Sequence, residues 1–327
     1  VAVVLRLAQS WFRIGSLEIL MMNGEFDLLR KTVDFIIDKH FSHLKRRKDK
    51  YEDFFAEVVQ NTAEMIAKWQ SVGFAHGVCN TDNFSLMSIT IDYGPFGFME
   101  GYNPKFVPNT SDNDGRYSYE NQPEVGYFNL NKLRLALLPL IKEKRSLEIL
   151  KKYSSIFTQK YHQEFRSKLG LIGRKRDDVI LIDNLLKMMV KTKADFTMTF
   201  RALSELSLSE LNDRDVIRKH WALYDLSKDK NWKEWLDHYH KRLLDNGEDY
   251  NDAKRQKGMK SSNARYILRN WMAEKAIRLA EMDDFSEVHN LLKVLQNPFM
   301  KQANAELSGY ASRPPSWASK LRVSCSS

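Results

Sequence analysis

The chain of 327 residues is long enough for one large domain or two ordinary ones, and 43% apolar and 12% aromatic residues supply a real hydrophobic core. No uninterrupted apolar run reaches the length of a membrane span; the longest candidate, Val1 to Leu7, is broken by Arg6. A net charge of +9 asks for an acidic partner, and nucleotide phosphates, nucleic acid or an anionic membrane would all satisfy it.

The sequence starts without Met, and Val1-Ala2-Val3-Val4-Leu5 reads as a buried strand already in progress. On that reading the chain begins inside a fold, and any targeting signal would lie upstream of Val1. A turn at Arg13-Ile14-Gly15 and a further apolar segment follow. Residues 25–45 carry Phe26, Leu29, Val33, Ile36, Ile37 and Leu44 at helical spacing. The basic run Lys45-Arg46-Arg47-Lys48, flanked by Asp49, Glu52 and Asp53, reads as a solvated helix end. From Tyr51 to Val72 a second helix shows one apolar stripe of Phe54, Phe55, Val58, Thr62, Met65, Ile66 and Trp69.

At Gly73 the texture changes. Residues 73–123 are rich in Gly, Asn, Asp and Pro, and only Leu86 to Ile91 alternates like a short strand. A loop region this long, with this many aromatics, is expected to be ordered and functional. Beyond Asn129 the chain is helical over 130–141, 146–169, 177–192, 213–226, 232–244, 263–281 and 286–295, with an extended tail from Gly309. The fold class expected is α+β and mostly helical. Two cysteines, Cys79 and Cys325, exclude a disulfide framework and fit a reducing or mixed compartment. The eight histidines form no metal motif; His238-x-His240 sits in a charged helical stretch and reads as surface.

The chemistry gathers in His76-Gly77-Val78-Cys79-Asn80-Thr81-Asp82-Asn83 and Ile91-Asp92-Tyr93-Gly94. A long helix leads into a polar loop with His, Asp and Asn, and a short hairpin then ends in Asp-aromatic-Gly. That is the layout of a kinase catalytic loop and metal-binding loop. Phosphoryl or nucleotidyl transfer needs a divalent cation held by oxygen ligands. Asn83 and Asp92, nine residues apart on two loops joined by a hairpin, suit that task, and Asp82 is placed to accept the proton of an attacking hydroxyl. Arg6, in an apolar segment, needs a partner: a phosphate, or a carboxylate such as Glu18.

The stretches 73–83 and 90–98 closely resemble the selenoprotein O family. So do Asp114 to Pro123, Asp195 to Leu203, Asn263 to Asn270 and the ending Val323-Ser324-Cys325-Ser326-Ser327. The resemblance covers essentially the whole chain. It implies a protein-kinase-like C-lobe over residues 1–145, a helical extension over 146–327, and transfer of AMP from ATP to hydroxyls of proteins. It further implies an inverted nucleotide, Asp82 as proton acceptor, Asn83 and Asp92 on Mg2+ or Mn2+, and Arg6 and Arg13 on the ATP phosphates. Asp92 then belongs to both the metal and the nucleotide sites. A mitochondrial location follows from the likeness to eukaryotic members, a cytoplasmic one otherwise.

Three departures qualify this. Ordinary kinases carry Asp two residues after the loop His, where this chain has Val78, which disfavours a conventional phosphotransferase. No Gly-rich loop and Lys precede Arg6, so the chain is expected to be a C-terminal part with poor activity by itself. Cys325 stands where many animal members carry selenocysteine, and the loop Phe106 to Asp112 lacks the Cys that some relatives pair with it, leaving Cys79 as its sole intramolecular candidate. The intact Asn83 and Asp92 disfavour a third reading, a non-catalytic pseudokinase module. No nucleic-acid-binding motif accompanies the basic charge.

Overall fold

The apolar stripe that opens near Tyr51 becomes the rod around which the first half is built. In the computed structural model, which describes residues 3, 5–245 and 251–324, helix α3 runs Lys50–Ser71 and buries Phe54, Phe55, Val58, Val59, Ala63 and Ile66. Helices α1 (Ile14–Met22) and α2 (Phe26–His40) precede it; α4 (Gln122–Leu137), α5 (Glu143–Leu150) and α6 (Tyr153–Lys168) follow the loop region. Helix α6 lies along α3, and α4 packs against both α1 and α3. Their inward faces share one apolar cluster running from Ile14 to Tyr153.

Helices α7 (Asp178–Thr192), α8 (Phe196–Glu205), α9 (Arg214–Lys219), α10 (Trp221–Leu226), α11 (Trp232–Leu244) and α12 (Asp252–Ser262) surround a second cluster. A third cluster joins α8 and α10 to α13 (Asn270–Ala280), α14 (Ser286–Leu295) and α15 (Ala303–Leu307). Among the described residues the only sheet is a two-residue pairing of β1 (Phe74–Ala75) with β2 (Gly97–Phe98), antiparallel, Phe74 opposite Phe98. No helix among them is long and apolar enough to cross a membrane.

Several boundaries move. Val3, Leu5 and Leu7 are not in a buried strand: they are 97%, 84% and 88% exposed, with no paired strand beside them among the described residues. The Arg13–Gly15 turn is the entry to α1, which periodicity missed because its apolar residues do not gather on one side. The stretch Leu86 to Ile91 is a tight turn, with Ser88 at φ 50° and one bridge between Phe84 and Thr90. The helix expected over 146–169 breaks at Lys151-Lys152, and that bend lets Leu150 and Tyr153 both reach the core. Residues 263–269 are extended rather than helical, held by Arg265 and Tyr266 amides donating to the Pro298 carbonyl at 2.8 and 3.1 Å. The basic run 45–48 is exposed between α2 and α3, where Lys45 pairs with Asp38 and Arg47 with Asp53. His238 is exposed on α11.

One buried cation stands out. Lys168, at the C-terminal end of α6, is 5% exposed, and its ammonium lies 5.5 and 4.5 Å from the rings of Phe196 and Phe200. Burial pushes its pKa down to about 7, against a weaker upward pull from Glu164. Between that value and the unfolded one near 10.4, the unfolded chain binds the extra proton, so stability rises with pH across this window. Relative to Lys168→Met, the wild-type protein is expected to gain about 2 kcal/mol between pH 7 and pH 9, and the methionine variant to be the more stable at pH 7. Urea unfolding at both pH values measures this; parallel behaviour of the two proteins would contradict it.

Candidate functional site

Residues 5–8 run outside regular structure, and Arg13 enters α1 in an extended conformation. Arg13 pairs with Ser85 in an antiparallel bridge, the Ile14 amide donates to the Phe84 carbonyl at 2.9 Å, and Leu86 donates to the Phe12 carbonyl at 2.9 Å. The segment before α1 is thereby laid against the loop that follows Asp82 and Asn83. The consequence is an ion-pair cluster. Arg6 donates to one oxygen of Asp92 at 2.9 Å and Arg13 to the other at 2.7 Å. Both guanidiniums approach the Trp11 ring, at 6.0 and 5.4 Å. Among the described residues Arg6 meets Asp92, and not Glu18, as its carboxylate partner. Arg6 stays 58% exposed at the side chain, and the Arg13 Nε is buried without a partner.

Asp92 itself adopts φ 54°, the left-handed region that side-chain-bearing residues enter at a cost, and its carbonyl accepts from the Gly94 amide at 2.7 Å. Strain of this kind concentrates where a side chain must be aimed. Asp82 and Asn83 lie on a single 3-10 turn, Thr81–Asn83, capped by the Asn80 side chain, which accepts from the Asn83 amide at 3.1 Å. The Asn83 side-chain nitrogen donates to the Val78 carbonyl at 2.9 Å, so its carbonyl oxygen is the free end. Asp82 rests against Gly15: a Cβ there would lie 2.0 Å from its Oδ1. Arg13 and Gly15, two residues apart, thus touch Asp92 and Asp82 respectively.

The two loops are braced from behind. His76 is buried, and its Nε2 donates to the Ile91 carbonyl at 2.8 Å, one residue before Asp92. A carbonyl only accepts, so Nε2 carries the proton; Nδ1 is buried with no partner, and burial holds the ring's pKa below its usual value. His76 is a neutral strut. Gly77, at φ 84°, passes so close to the Pro95 carbonyl that a Cβ would sit 2.4 Å from it, which bars any larger residue. Gln122 accepts from the His76 amide and donates to the Phe74 carbonyl, both at 2.9 Å, and Asn129 donates to the Cys79 carbonyl at 2.6 Å. Sequence reasoning did not single out these two. Their signal was two amides seven residues apart on the apolar face of α4.

The tail reaches the same region. Asn109 donates to the Gly77 carbonyl at 3.3 Å, and the Asn109–Ser111 segment is bridged in parallel by the tail at Val323. Thr110 donates to the Val323 carbonyl from its amide at 2.9 Å and its hydroxyl at 3.0 Å, while Ser111 and Ser324 hydroxyls meet at 2.9 Å. Cys79 is fully buried and free, and burial drives its thiol pKa far up; Cys325 lies outside the described residues.

A family model described as "Protein adenylyltransferase SelO" matches residues 1–296 of the 327, taking in Arg6, Arg13, Asp82, Asn83 and Asp92, and the chain belongs to the SelO family.

Proposed function

We propose that the protein transfers AMP from ATP to Ser, Thr or Tyr hydroxyls of other proteins, with Mg2+ or Mn2+, from a protein-kinase-like C-lobe. The observation that carries this is the Arg6–Asp92–Arg13 cluster set beside Asp82 and Asn83 in a chain of this family.

The donor set suits the groups required. Asn83 offers a carbonyl oxygen, and each Asp92 oxygen holds one guanidinium with a lone pair remaining. Among the described residues no three His, Cys, Asp or Glu side chains gather as a metal site, so water and phosphate oxygens would complete the shell, as is usual for Mg2+. The ion would neutralise charge on the phosphates. Arg6 and Arg13 each present further N–H donors beyond the one given to Asp92, enough to hold a pyrophosphate in place. Asp82 takes the proton as the acceptor oxygen bonds to the α-phosphorus, and the bond from that phosphorus to the bridging oxygen of pyrophosphate breaks. Val78, where a kinase base would stand, is consistent with chemistry at the α- and not the γ-phosphorus.

ATP labelled at the α position tests this. Label is expected on protein, with pyrophosphate released; label from the γ position alone, with ADP formed, would favour the phosphotransferase.

Gly15 supplies a sharper probe. In Gly15→Ala the new methyl displaces the flexible end of Asp82 and no backbone, so stability is expected to change by less than about 1 kcal/mol. Transfer is expected to fall about 10- to 100-fold, because the base is moved by an ångström or more. Unchanged turnover in a folded Gly15→Ala protein would remove Asp82 from the mechanism.

A further inference from the structure

Away from this cluster, α9, α10 and the first turns of α11 enclose a cleft of about 520 Å3. Its volume falls within the range of small-molecule pockets. Four cations line it, Arg214, Arg218, Lys230 and Lys233, against the single carboxylate of Asp229. Three aspartates on the adjoining turns are already engaged. Asp215 pairs with Arg218 at 3.2 Å, Asp225 with Lys228 and Arg313 at 2.9 and 2.7 Å, and Asp213 caps α9 through the Asp215 and Val216 amides. Asp229 accepts from the Asn231 amide at 2.8 Å. Arg214, Lys230 and Lys233 form no ion pair among the described residues.

Two aromatic rings complete the lining. Trp232 stacks on Trp235 with centroids 5.6 Å apart and an interplanar angle of 21°, which fixes its ring; Tyr224 is 40% exposed. Surplus positive charge beside a stacked Trp ring and an exposed Tyr ring, in a concavity and not on a flat face, suits a ligand that carries phosphate and a planar ring together.

We propose that this cleft is a binding site for a nucleoside phosphate, its base against Trp232 and Tyr224 and its phosphates on Arg214, Lys230 and Lys233. It shares no residue with the Asp82–Asp92 region, so it stands whether or not the transfer reaction assigned there is correct.

Irradiation of the full chain with 8-azido-ADP, followed by peptide mapping, tests the assignment. Label is expected within residues 214–236, competed by ADP. It is expected to persist in Asp92→Asn, to fall at least tenfold in the double variant Arg214→Glu/Lys233→Glu, and to fall in Tyr224→Leu. Arg214, Tyr224 and Lys233 are exposed, and circular dichroism confirms that each variant is folded. Label found only outside 214–236 would overturn the proposal. So would cleft label that single-stranded oligoribonucleotide displaces and ADP does not, which would make this a nucleic-acid surface.

Discussion

Replacing Asp92 with asparagine is expected to lower AMP transfer by a factor of hundreds to about a thousand while leaving the protein folded. The size follows from removing charge stabilisation of ~3–4 kcal/mol at the phosphates. Asparagine is the cleaner substitution because it tolerates the φ of 54° at this position, whereas alanine adds backbone strain on the order of 1 kcal/mol. The same change frees Arg6 and Arg13 from the carboxylate they share. With those donors available to phosphate, KM for ATP is expected to hold steady or fall while kcat collapses. A folded Asp92→Asn protein with near-normal kcat would sink the assignment of Asp92 to the metal.

Removing the guanidinium of Arg269 is expected to cost about 3–5 kcal/mol of folding stability. Its side chain is 1% exposed and donates to both oxygens of Asp195, at 2.7 and 3.0 Å, and to Glu100. Asp195 caps α8 through the Met198 amide at 2.8 Å, and Glu100 lies two residues beyond β2. One cation therefore ties the loop region of the site to the C-terminal helices. Arg269→Met leaves the buried Asp195 carboxylate unpaired beside that of Glu100, whose pKa burial already pushes up with the guanidinium present. Asp195→Asn keeps the cap oxygen and loses the charge, so it is expected to cost less than Arg269→Met. Urea denaturation of both variants measures the difference. A loss below about 1 kcal/mol for Arg269→Met would show that the cluster contributes little net stability.

The helices legible in the sequence were those with one apolar stripe. Helices α2, α3 and α11 show it. Helix α12 does not, because it buries Arg255 and Met259 amid Lys, Gln and Ser, and Arg255 holds its place by donating to the Leu203 and Leu206 carbonyls. The loop residues Asp82, Asn83 and Asp92 were legible because they are near one another in sequence and follow a long helix. The pairing of Arg6 with Asp92 spans 86 residues, and no periodicity encodes it. The contact of Gly15 with Asp82 is hidden for the same reason. The likenesses at 195–203 and 263–270 had no mechanical meaning as sequence. They hold Asp195, Arg201, Arg265 and Arg269, buried charges that tie α8 to α15 and to Glu100 in the loop region.

The stitch between Thr110 and Val323 sets an order in time. The two residues are 213 positions apart. A ribosome adding ~5–20 residues per second needs roughly 10–40 s to travel that far. The helices around α3 are complete and able to pack long before then. Throughout that interval the segment beside Gly77 lacks the carbonyl that its Thr110 amide later meets. The nascent chain therefore passes through a stage in which its first core is closed while the flank of its candidate site is still open, and maturation of that flank waits on the distant tail.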